Sequence, residues 1–144
     1  MHVDESQGIV LGVDLSGEVP TVPMTINKSI PVEAMIDSGD LMEVALAEDL
    51  RKKYHLAMLV DPDPNNYNKS HVTISGIAGE ETMECGTVDS ISLGPIVYEA
   101  PPSCYSRTIL SNNQAIVGFD FISNFNIVFD YPHGKMILIP RKNQ

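Results

Sequence analysis

The chain has no tryptophan, only two cysteines, and nine basic residues against nineteen acidic ones, and each scarcity removes a class of function. With a formal net charge of -10 and no basic run longer than Arg51-Lys52-Lys53, it has little to offer a phosphate backbone or an anionic bilayer. Nucleic acid and membrane surfaces are therefore not expected partners. Apolar stretches all fall well short of the roughly 20 residues that a membrane-crossing helix requires. The N-terminal Met1-His2-Val3-Asp4-Glu5-Ser6-Gln7 is acidic and polar and lacks an apolar targeting core, so the sequence reads as a soluble one without an export signal of its own. Cys85 and Cys104 stand at no metal-site spacing from each other or from His2, His55, His71 and His133, so neither a metal nor another cofactor is expected. Two buried thiols and one disulfide are equally open readings of the pair. A catalytic thiol would need a histidine and an orienting partner beside it, and no local pattern supplies them.

What is present suits one modest domain. At 144 residues with 43% hydrophobic positions, the chain can bury one real core and is too short for two ordinary domains. Residues 1–8 read as a flexible tail and 9–144 as a single domain. Short β-like segments dominate. Val19 to Ile26 and Ile30 to Ile36 are rich in β-branched residues and are separated by Asn27-Lys28-Ser29, the pattern of a hairpin. From Glu43 to Tyr54, apolar residues recur at helical spacing among charges, which predicts a short amphipathic helix. Asp61 to Asn68, with two prolines and three asparagines, predicts a loop. His71 to Met83 reads as two extended arms around a turn with Gly76 and Gly79, which would let a backbone approach a ligand closely. Strand-like pieces follow at Val88 to Leu93 and Ile96 to Ala100, and Pro101-Pro102 breaks the run. Ala115 to Gly118 predicts a buried strand, Phe119 to Phe125 a helical turn or two, and Asn126 to Tyr131 a strand. Pro132-His133-Gly134 then turns the chain into a last strand, Lys135 to Ile139.

The chemistry-bearing element is Asp37-Ser38-Gly39, placed directly after the strand Pro31 to Ile36. A carboxylate there, on a turn closed by glycine, can be held close to a second carboxylate so that the pair shares one proton. No second Asp-Ser-Gly occurs in the chain, and no internal repeat is detectable. Asp120 reads as a helix N-terminal residue and Asp130 as a strand-end one, rather than as a second catalytic carboxylate. His71 and His133 read as solvated polar residues in hairpin or turn positions.

Asp37-Ser38-Gly39 after a hairpin, a glycine-bearing turn at Ile77-Ala78-Gly79, the later Ile116-Val117-Gly118, and Phe119-Asp120-Phe121-Ile122 leading to Phe129-Asp130-Tyr131 form an ordered set. In that order the chain resembles the retropepsin-like aspartyl proteases, especially single-lobe bacterial members, over about Pro20 to Pro140. The resemblance implies an all-β fold, a closed barrel or sandwich of short strands with a flap hairpin and one or two short helices, one lobe per chain. It also implies Asp37, Ser38 and Gly39 as the catalytic loop, Ile77, Ala78 and Gly79 as the flap over a polypeptide substrate, and Ile116, Val117 and Gly118 as support behind the loop. One Asp per chain then requires a homodimer, in which a water between two Asp37 carboxylates attacks the peptide bond. The residue after Gly39 is usually a small one in this family. Here it is Asp40, a further acid that would modulate the site and leaves open a catalytically inactive or gated dimerisation or peptide-binding module. A wholly unrelated β-module, with Asp37-Ser38-Gly39 as a mere turn, is the third reading. The resemblance implies a bacterial envelope, periplasmic or exported location, with the cytoplasm as the alternative.

Overall fold

The computed structural model describes residues 8–17, 19–37, 44–56, 71–76, 79–107 and 114–141, the side chains of 71–76, 81, 119 and 120 excepted. The expected loop at Asp61 to Asn68 and the tail before Gly8 lie outside these residues.

Strand β1 is Ile9–Gly12, β2 Thr21–Ile26 and β3 Ile30–Ile36; β2 and β3 pair antiparallel around Asn27-Lys28-Ser29, as the sequence predicts. Asn27 and Lys28 both take positive φ, 49° and 66°. The turn is tied down from outside: Asn27 N–H donates to Ser90 O at 2.8 Å, and its Oδ1 accepts from Ser90 N–H at 3.1 Å.

The predicted helix from Glu43 is shorter than expected. Val44–Ala47 is strand β4 and only Glu48–Tyr54 is helical (α1). All four residues of β4 are buried, so it presents no polar face and carries no period-two alternation to distinguish it from a helix start. Helix α1 has Glu48 and Asp49 in its first turn and Arg51, Lys52 and Lys53 in its last, which complements its dipole, and it buries Leu50.

After α1 come β5 (His71–Gly76), β6 (Gly79–Thr87), β7 (Ser90–Leu93), β8 (Ile96–Glu99), β9 (Pro102–Ser106) and β10 (Gln114–Val117). A short helix α2 (Phe119–Ile122), β11 (Phe125–Asp130), a 3-10 turn at Tyr131–His133 and β12 (Lys135–Pro140) complete the chain. Besides β4, two more strands were not anticipated. β1 is too short to stand out by pattern, and β9 begins at Pro102, where the sequence suggested a break. A proline is tolerated at the first residue of a strand because the donor it lacks is least needed there.

Nine strands form one sheet in the order β5-β6-β9-β4-β10-β3-β2-β7-β8, and β1-β12-β11 form a second. One apolar cluster takes residues from both: Val22, Met24 and Ile26 of β2, Ile91 and Leu93 of β7, and Leu11, Met136 and Leu138 of the small sheet. Each such large side chain, fully buried, contributes about 1.5–3 kcal/mol. Phe121 of α2 joins Tyr98 of β8 at 6.0 Å between ring centroids and Phe125 of β11 at 5.6 Å, linking the two sheets. The molecule is thus mostly β and compatible with a sandwich. The sheets do not close into a barrel, because β5 and β8 remain edges among the described residues.

The cysteines, left open by the sequence, form a disulfide. Cys85 on β6 and Cys104 on β9 stand directly opposite one another with Cα atoms 4.0 Å apart. No helix among the described residues is long and apolar enough to cross a membrane.

Candidate active site

The middle of the large sheet determines where Asp37 goes. β10 lies between β3, to which it is parallel, and β4, to which it is antiparallel. The parallel register sets Val117 beside Ile36, the last residue of β3. One residue on, Asp37 N–H donates to Val117 O at 3.0 Å. The carboxylate therefore leaves the C-terminal end of a central strand with its own backbone fixed to the neighbouring one, while the residue itself is exposed in the single chain.

Ile116, Val117 and Gly118 are all buried behind that point. Gly118 O accepts Ile122 N–H at 3.2 Å, so the chain turns into α2 immediately after passing Asp37. Of the residues singled out by sequence, the structure brings Asp37, Ile116, Val117 and Gly118 together. Ser38, Gly39, Asp40, Ile77 and Ala78 lie outside the described residues.

Gly79 opens β6 at φ 114°, a conformation that L side chains rarely adopt. It pairs with Gly76 at the outer end of the β5–β6 hairpin. Among the described residues, that hairpin joins the sheet through Glu84 to Thr87 of β6, which pair with Tyr105 to Pro102 of β9. Its base is secured by the disulfide and by an ion pair from Arg51 of α1 to Glu84. The Glu84 carboxylate, above all by hydrogen bonding, holds the Arg51 guanidinium above its ordinary range.

Two cavities flank the end of β3. One, about 450 Å³, is lined by Asp14, Ser16, Thr21, Glu33, Met35 and Gln114 among others. Alternation along β3 puts Glu33 and Met35 on one face, Asp37 follows just past the strand's end, and register places Gln114 beside Glu33 and Thr21 beside Met35. Thr21 Oγ1 donates to Glu33 Oε2 at 2.9 Å. Asp14 Oδ1 accepts from Ser16 Oγ at 2.6 Å and from Ser16 N–H at 2.8 Å, and these bonds hold its carboxyl below the usual carboxylate range. The second cavity, about 430 Å³, is lined by Ile36, Ile122, Phe125, Ile127, Phe129 and Tyr131, with Ser123 and Arg141 at its polar positions. Sequence reading missed both. The signal for the first was the Glu33-x-Met35 alternation just before Asp37; the second needs β11 and β3 brought together by the fold.

The other titratable residues take quieter places. Asp130 ends β11 and its carboxylate meets the exposed His133 ring at 2.8 Å. The side chains of Asp120 and His71 lie outside the described residues. Among the described residues, no group of three or more His, Cys, Asp or Glu is placed to hold a metal ion.

No protein-family model matches the chain, and no curated protein matches it by sequence. Among solved structures it is similar to a retropepsin-like aspartic protease from Rickettsia conorii, at 16% identity and a TM-score of 0.60, over 91% of this chain and 89% of that one. At that identity the likeness is one of architecture: the chain has a retropepsin-like fold.

Proposed function

We propose that the chain is an aspartic endopeptidase that acts as a homodimer on extended polypeptide. The observation that carries this reading is Asp37, held at the end of a central strand by its bond to Val117 O, within a fold like that of a named aspartic protease. Two such carboxylates meeting at a twofold axis would share one proton and titrate as a unit. The ionised one takes a proton from a water held between them while the other donates to the scissile carbonyl oxygen, and a tetrahedral gem-diol forms without a covalent enzyme intermediate.

Ser38 and Gly39 continue the catalytic loop in this reading, with Ile116, Val117 and Gly118 as its support. The hairpin tip at Ile77, Ala78 and Gly79 is the flap, pairing with the substrate backbone in the β-addition mode and excluding water. The second Asp37 must come from a second copy, because the sequence holds one Asp-Ser-Gly. The apolar cavity that begins at Ile36, with Phe129 and Tyr131 46% and 43% exposed, is the surface we assign to that copy.

The test is cleavage of an unstructured protein mixture from about pH 3 to pH 8, comparing the unaltered chain with Asp37→Asn. Cleavage with an acid-side optimum that vanishes in the variant supports the reading, and cleavage that survives it removes Asp37 as the catalytic carboxylate. Asp40 favours one alternative, a dimerising or peptide-binding module without turnover, since an added acid beside a carboxylate pair raises its proton affinity. Activity that appears only in Asp40→Ala would select that alternative.

A further inference from the structure

We infer that the cavity beside β3 is a substrate subsite that selects a basic side chain, lysine or arginine, close to the cleaved bond. The inference rests on the proposed peptidase reading and adds to it the charge of the substrate. It starts from position. Met35, in the cavity wall, lies two residues before Asp37, about 7 Å away along the extended chain. An extended peptide crossing Asp37 advances by about the same length every two residues, so one of its side chains within a few residues of the cut faces this cavity.

Its lining then sets the sign. Among the described residues, Asp14 and Glu33 are the charged residues that line it, and no Lys, Arg or His does. Thr21 and Ser16 anchor the two carboxylates by donating hydrogen bonds to them, so both are already oriented when a ligand arrives. Val19 and Met35 offer apolar surface for the stem of a long side chain whose charged head reaches the carboxylates, the way lysine and arginine ordinarily distribute themselves. A volume of about 450 Å³ has room for either. An acidic side chain in the same place would meet two like charges.

The experiment uses unstructured decapeptides with Leu-Phe at the centre, carrying a single lysine scanned through the flanking positions, each paired with its norleucine counterpart. Binding is measured to the Asp37→Asn protein and cleavage with the unaltered one. At one position, lysine is expected to be favoured over norleucine by roughly fivefold, the scale of a partly exposed, hydrogen-bonded charge pair. In the Asp14→Asn, Glu33→Gln double variant that ratio is expected to fall to about one. In the unaltered protein it should also shrink as ionic strength rises from about 0.01 M to 1 M, a readout that needs no variant. A ratio of one at every position, a ratio indifferent to both the double variant and salt, or no binding of any lysine peptide overturns the inference. Because binding is read in Asp37→Asn, a charge preference without turnover would retain the subsite and reject the peptidase. Turnover without a charge preference would do the reverse.

Discussion

Tyr105 on β9 is 2% exposed, and its hydroxyl has no hydrogen-bond partner among the described residues. The ring carries the Arg51 guanidinium 5.4 Å from its centroid, so its face is used while its polar tip is not. Removing a buried polar atom that makes no bond, without changing shape, relieves a desolvation cost. Tyr105→Phe is therefore expected to hold or raise stability by up to about 1 kcal/mol in urea unfolding. Burial pushes the Tyr105 hydroxyl up to about 12, above its ordinary value near 10. Its contribution is thus intact below pH about 10 and lost as pH rises towards about 12. A plot of urea midpoint against pH should lose part of its alkaline fall in the phenylalanine variant. His55 offers a second test at this scale. It closes α1 in the left-handed region, φ 50°, where a side chain is strained. His55→Gly should raise stability by about 0.5 kcal/mol, read in the same way.

Among the elements, the β5–β6 hairpin is held at its base, by the pairing of β6 with β9, the disulfide and the Arg51–Glu84 ion pair. Beyond Glu84 its strands pair, among the described residues, only with each other, and at Cys85 the disulfide ties it to β9. The cross-link spans 19 residues of sequence, for which the chain-entropy account gives about 3 kcal/mol. The Cys85→Ala, Cys104→Ala pair is expected to lower stability by roughly 2–4 kcal/mol in urea. Amide exchange should localise the change: residues Glu84 to Thr87 lose protection in the variant, whereas Gly79 to Met83 exchange fast in both proteins. Equal loss across all strands would mean that the disulfide acts on the unfolded chain alone. This element was half legible. Its glycines and extended arms stand out in the sequence, but the pairing with β9 joins segments that share no local pattern, and Pro101-Pro102 read as a stop.

For the whole molecule, the consequential question is what covers the small sheet. If a second copy sits at the apolar cavity beside Ile36, Phe129→Lys should weaken self-association by at least tenfold in sedimentation, since a buried lysine there would have to be desolvated without a partner. Phe129 is 46% exposed in the single chain, so the fold itself should survive, with a urea midpoint close to that of the unaltered protein. Activity per chain should fall on dilution through the dimer dissociation constant, and fall at higher concentration in the variant. Activity that is independent of concentration in a monomeric protein would reject the shared-carboxylate mechanism.

Local chemistry in the sequence determined the β2–β3 hairpin, the strand that leads to Asp37 and the buried run before Gly118. Each depends on neighbours within a few residues, where alternation, turn residues and charge act directly. Tertiary structure alone decided that Val44 to Ala47 is a strand, that Cys85 meets Cys104, and that Asp14, Glu33 and Gln114 share one cavity wall. A strand buried on both faces carries no alternation, and the partners of the other two lie far along the chain. Only the packing of the sheet, which sets Val117 O against Asp37 N–H, brings such residues together.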